Sequence, residues 1–109
     1  MSAGEGGADG ADAGSTAKVV LPGMLRDLTD GVGEVATPVG ADGSDLGAVL
    51  DDALGRWPRV ASRVRDERGE IRPHVNVFVD GEDAKRGDGL GTPVRPGSVV
   101  HVINAVSGG

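Results

Sequence analysis

The residues of this chain that could do chemistry are few, and most of them stand alone. The sequence closes on Ser107, Gly108 and Gly109. Glycine has no Cβ, so two in a row make a flexible thread of minimal cross-section. The reactive group such a thread offers is a carboxylate, and the reading here is that Gly109 carries the working one. Ser107 has no fixed base beside it, which denies it the role of a nucleophile. His74 and His101 are far apart, and neither has the carboxylate spacing of a metal site. Asp80, Glu82, Asp83 and Asp88 lack the ligand spacing and the closing glutamate of a calcium loop. No general acid–base pair stands out. There is no cysteine, which excludes disulfides, thiolate metal sites and a cysteine nucleophile. The expectation is a protein with no catalytic residue, no metal and no bound cofactor, whose terminal carboxylate is acted on by others.

The rest of the chain has to hold that thread out. Its 109 residues suffice for one small domain. Hydrophobic residues make up 38% and aromatic ones 2%, so the core must be built from Val, Leu, Ile and Ala. The net charge of −6 opposes binding to a phosphate backbone, which needs clustered Lys and Arg. No apolar run approaches a membrane span, and the N-terminus lacks the regions of a secretory signal. The expected compartment is the cytoplasm.

Residues 1–16 are Gly, Ala, Ser, Thr and acids after Met1, and are expected to form a disordered tail. Ala17–Leu21 reads as a first strand, ending at Pro22-Gly23. Met24, Leu25 and Leu28 suggest a helical turn before Asp30-Gly31. Gly33–Val39 alternates as a second strand, which Pro38 confines to an edge or a strand end. Asp42-Gly43-Ser44-Asp45 reads as a turn with Ser44 as the helix N-cap. Leu46, Val49, Leu50, Ala53, Leu54 and Trp57 then form a helical stripe. Pro58 ends that helix or opens a second one through Val60 and Val64.

Six of the eleven basic residues follow closely: Arg56, Arg59, Arg63, Arg65, Arg68 and Arg72. They read as a solvated face followed by a loop, or more sharply as a docking strip for an acidic partner. His74–Asp80 alternates strictly, with Val75, Val77 and Val79 on one side. Asp80-Gly81 is a turn signal, and Asp83–Val94 reads as loop with a brief extended or 3₁₀ piece. Arg95-Pro96-Gly97-Ser98 is a turn before a last strand over Val99–Val106. The order predicts an α+β roll: a mixed sheet with one main helix packed on one face. If the valines face the helix, Phe78, Val99, His101 and Ile103 lie on the other side of the sheet. That makes them a candidate partner surface beside the outgoing thread. The alternative is that Phe78 closes a minor core under residues 83–94.

Val102-Ile103-Asn104-Ala105-Val106-Ser107-Gly108-Gly109 resembles the ending of MoaD/ThiS-type sulfur carriers, which are ubiquitin-like β-grasp proteins. The block Val75–Asp83 and the run Gly89–Val94, followed by Pro96–Val100, resemble the same family. Length and the Val75–Asp83 block are most similar to its CysO-type carriers of cysteine biosynthesis. Residues 17–104 would then be the β-grasp domain and 105–109 a flexible tail.

The resemblance implies a mechanism. An E1-like, MoeB-type enzyme would adenylate Gly109 with its own Mg-ATP, and a sulfur nucleophile would turn the adenylate into a thiocarboxylate. Val106, Ser107 and Gly108 would thread into the partner's site. The resemblance implies further partners as well: a PLP-dependent cysteine synthase as sulfur acceptor, or a secondary-metabolite enzyme, and a JAMM-type metalloprotease. Two other roles stay open within it, a molybdopterin synthase small subunit and a modifier conjugated to lysines. An interaction domain with an incidental diglycine is the remaining alternative.

Overall fold

The computed structural model describes residues 15–104. Seven strands and three α-helices make up this part. The strands are β1 (Thr16–Val20), β2 (Glu34–Pro38), β3 (Ser44–Asp45), β4 (Val75–Val79), β5 (Glu82–Asp83), β6 (Pro93–Val94) and β7 (Val99–Asn104). The helices are α1 (Gly23–Arg26), α2 (Leu46–Leu54) and α3 (Pro58–Val64). Five strands form one mixed sheet in the order β2-β1-β7-β4-β5. β1 and β2 are an antiparallel pair, β1 and β7 run parallel, and β7 and β4 are antiparallel. The last strand is therefore the centre of the sheet, with the first strand beside it.

Alternation explains which face is dry. Val19, Val75, Val77, Val100 and Val102 are almost wholly buried, and the register sets Val100 between Val19 and Val79. Over this face lies α2, which buries Leu46, Val49, Leu50, Ala53 and Leu54. Each of the Leu and Val side chains contributes roughly 1.5–3 kcal/mol before entropy is counted. The expected stripe also included Trp57, but α2 stops at Leu54 and Trp57 is the N-cap of α3. Pro58 opens α3, where its fixed φ and missing N–H suit the first turn. Val60 and Val64 of α3 are fully buried and close the core.

Two sequence expectations shift. Ser44 is not the cap of α2. Ser44 and Asp45 pair with Val94 and Pro93 as a two-stranded ribbon, and the Asp45 carboxylate accepts from Ala48 N–H at 2.8 Å. β1 begins at Thr16, and Ser15 O accepts from Val39 N–H at 2.6 Å. β2 is an edge strand that ends at Pro38, where a missing N–H costs no ladder bond. The stretch between α3 and β4 is tied down rather than loose. Arg65 and Ile71 bridge across it, and Arg65 Nε donates to Gly69 O at 2.7 Å. Arg65 also meets the Asp51 carboxylate and Gly47 O, pinning the segment to α2.

Candidate functional site

The route to the thread runs through β7, and three devices hold that strand. Before it, Arg95-Pro96-Gly97-Ser98 makes a tight turn in which Ser98 N–H donates to Arg95 O at 2.9 Å. Gly97 has φ +89°, which a glycine adopts without strain. At its first residue, Asp80 clamps Val99 from both sides. The Asp80 carboxylate accepts from Val99 N–H at 2.9 Å, and Asp80 N–H donates to Val99 O at 2.9 Å. Asp80 itself has φ +49° and Gly81 φ +89°, the paired left-handed turn of a tight hairpin between β4 and β5. Along its length, β7 pairs with β1 over Val99–His101 and with β4 over Val100–Asn104.

The face of the sheet away from α2 collects the predicted surface residues. Phe78 and Val99 are half-buried, and His101 and Ile103 are exposed. Ile103 keeps 43% of its surface in water. The register places His101 between Phe78 on β4 and Val20 on β1, and sets Ile103 opposite Asn76. Lys18 stands opposite Val99 and pairs with Glu34 at 3.5 Å. The result is an apolar strip (Val20, Phe78, Val99, Ile103) with an imidazole in it and charge at its rim. Phe78 has the β4–β5 hairpin on one flank, where it shares a shallow depression with Glu82, Asp83 and Arg86. Its ring takes no part in the main core.

Two residues at the far end of β7 escaped the sequence reading. The Asn104 side-chain amide donates to Met24 Sδ at 2.8 Å, and Asn104 Oδ1 is buried without a partner among the described residues. Met24 is 50% exposed on the short α1 after β1. The parallel pairing of β1 with β7 brings the two together, and no local pattern signals it. Val106, Ser107, Gly108 and Gly109 lie outside the described residues. Asp80 and Asp83, weighed above as calcium ligands, spend carboxylate oxygens on Val99 N–H and Lys85 N–H.

A mixed sheet wrapped on one main helix, with an interior parallel last strand that heads for a small-residue terminus, defines a ubiquitin-like β-grasp protein. The ThiS family model matches residues 19–109. The chain belongs to the ThiS family. It is 33% identical over 93 residues to the sulfur carrier protein CysO of Mycobacterium tuberculosis, a match covering 84% of this chain and 96% of that one. It is also 33% identical over 87 residues to small archaeal modifier protein 1 of Haloferax volcanii, covering 79% and 95%. Among solved structures it resembles a chain of the Amycolatopsis orientalis BexX/CysO complex with a TM-score of 0.71. That match has 29% identity and covers 85% of this chain and 99% of the other. The chain is accordingly of the sulfur-carrier and ubiquitin-like modifier type. Among the described residues no helix is long and apolar enough to cross a membrane.

Proposed function

We propose that this chain is a sulfur carrier whose Gly109 carboxylate is activated by an E1-like, MoeB-type enzyme. A carboxylate is a poor acyl donor because oxide is a poor leaving group. In the proposed step a Gly109 oxygen attacks the α-phosphorus of ATP, a new P–O bond forms and pyrophosphate leaves. A sulfur nucleophile supplied by the partner system then attacks the acyl carbon, and AMP departs with the C–O bond electrons. Where that nucleophile is sulfide, loss of its proton to base leaves a thiocarboxylate on Gly109. Where it is a persulfide, a thiol cleaves the acyl disulfide, forms a disulfide with the partner's cysteine and frees the same thiocarboxylate. Magnesium and the groups that stabilise phosphoryl charge belong to the partner. Gly108, Ser107 and Val106 thread the terminus into that enzyme's site, since larger side chains would widen the thread. Phe78, Val99, His101 and Ile103 form the docking face.

The observation that supports this reading most strongly is the position of β7. The strand that bears His101 and Ile103 on its open face is also the one that continues directly into residues 105–109. Docking on the face would fix where the thread starts. The thiocarboxylate would then give its sulfur to a biosynthetic acceptor. For a carrier of the CysO type that acceptor would be a PLP-dependent cysteine synthase, with a JAMM-type metalloprotease releasing the product. The Amycolatopsis BexX/CysO complex supports a protein partner for such a carrier, and a secondary-metabolite enzyme is the other acceptor proposed. ATP-dependent activation sets this chemistry in the cytoplasm.

The test is ATP–pyrophosphate exchange by a MoeB-type enzyme with the full chain and with Gly109 deleted. Exchange with the full chain and none with the truncated one supports the reading; equal exchange overturns it. The likeness to the Haloferax modifier favours a second reading, in which the same adenylate passes to a lysine amine of a target protein. Higher-mass conjugates in cell extracts, lost with Gly109, would mark that route.

A further inference from the structure

The helix layer of the molecule carries a second surface of different character. On α3, Val60 and Val64 are fully buried and Ala61 packs partly against the core, while Pro58, Arg59, Ser62 and Arg63 face water. Arg59 and Arg63 are exposed on that side, four residues apart and therefore stacked on successive turns. Arg56, just before the helix, sets its guanidinium 5.6 Å from the ring centroid of Trp57. Trp57 is partly buried against the core and leaves an edge of indole in the surface.

Among the described residues these arginines have no ion-pair partner. No carboxylate occurs between Gly55 and Val64 in the sequence. The neighbouring basic residues are engaged. Arg65 meets Asp51, and Arg72 Nε donates to Ser62 O at 2.7 Å. Of the nearest acids in sequence, Asp51 meets Arg65, Asp52 accepts from the Thr37 hydroxyl and Asp66 accepts from backbone N–H groups, while exposed Glu67 makes no ion pair among the described residues. Like charges one turn apart destabilise a helix, yet they stand together in a chain whose net charge is −6. Arg and Trp are also the side chains that most often dominate binding energy when a surface is covered.

We propose that Arg56, Trp57, Arg59 and Arg63 form a second docking surface, and that its occupant is an acidic segment of a partner protein. Complementary charge sets the chemistry of that segment, and the indole edge gives it an apolar contact. The strip is short and the whole chain acidic, which disfavours a nucleic acid. Because α2 covers the helix side of the sheet and α3 packs beside it with Val60 and Val64 in the core, this surface lies away from the open face that carries Phe78 and His101. A partner held by the arginines leaves the sheet face and the thread free, so two proteins can be held at once.

Trp57 is the only tryptophan in the chain, and it reports on this surface directly. The experiment is a fluorescence titration of the full chain with a short poly-glutamate peptide in low-salt buffer. Poly-lysine and a single-stranded DNA oligonucleotide serve as comparison probes. The expected result is a saturable change in Trp57 emission with poly-glutamate alone, with affinity that falls as salt is added. In Arg59→Gln/Arg63→Gln the dissociation constant should rise by about tenfold, a loss on the order of 1.4 kcal/mol, with an unchanged circular dichroism melt. Phe78→Ala should leave the titration as it is. No emission change, a change insensitive to salt, an unaltered titration in the double variant, or tighter binding of the DNA would each overturn the proposal.

Discussion

Phe78 of β4 and His101 of β7 stand directly opposite one another on the open face of the sheet. Cross-strand neighbours on one face have Cβ atoms about 5 Å apart, so the two side chains form one surface element. On the other side of His101 lies Val20, and two residues along β7 stands exposed Ile103. A ring half in water, beside an imidazole and a bare isoleucine, contributes little to folding. It offers apolar area and a hydrogen-bonding group to whatever covers it.

Phe78→Ala is therefore expected to weaken binding to a MoeB-type enzyme by about 1–2 kcal/mol, the range of a truncated interface anchor. The thermal midpoint should fall by only a few degrees, roughly what 1 kcal/mol or less does to a domain of this size. Calorimetric binding and melting on the same samples check this. A large fall in midpoint with unchanged affinity would return Phe78 to the core.

Asp45, and not Ser44, should matter for the start of α2. The Asp45 carboxylate satisfies Ala48 N–H, one of the four N–H groups a helix start leaves open. Asp45→Ala should cost about 1 kcal/mol in denaturant unfolding, and Ser44→Ala distinctly less. Reversal of that order would move the cap back to Ser44.

The turn that follows α3 makes a pH-dependent contribution. Asp66 is held below the ordinary 3.8, chiefly by Glu70 N–H, with Arg68 N–H and the Arg68 and Arg72 charges adding and desolvation opposing. A depressed folded-state value means that its stabilisation is fully present above the unfolded value. It is lost as pH falls through the lower, folded one. Between pH 5 and neutrality Asp66→Asn should thus be less stable than the parent by a constant margin. That margin should shrink as acid is added below about pH 4. Unfolding midpoints across that range measure it, and a margin that grows in acid would contradict the assignment.

Short-range patterns were legible in the sequence, and long-range ones were not. The alternating valines of Val75–Val79 announced both faces of β4, and with them the open face on which Phe78 stands. The stripe from Leu46 to Leu54 announced the covering helix. Local pattern failed where a distant strand decides the outcome. Ser44 has the chemistry of a cap, but Val94 takes its residue into a ribbon and passes the cap to Asp45. Trp57 keeps helical spacing with Leu46, yet Pro58 restarts the helix and leaves Trp57 at its N-cap. The contact of Met24 with Asn104 spans 80 residues and exists because β1 and β7 run parallel. Arg65–Pro73, the stretch between helix and strand, is pinned by one guanidinium that reaches Gly47, Asp51 and Gly69. Charge and strand alternation thus exposed the surfaces, while sheet order decided how they relate.

The most direct measurement is the intact mass of the chain after incubation with ATP, magnesium, a sulfur donor and a MoeB-type enzyme. One oxygen replaced by one sulfur, localised by fragmentation to Gly109 and absent when ATP is withheld, is the predicted result. A terminus that keeps both oxygens while the same enzyme converts a CysO control would contradict it.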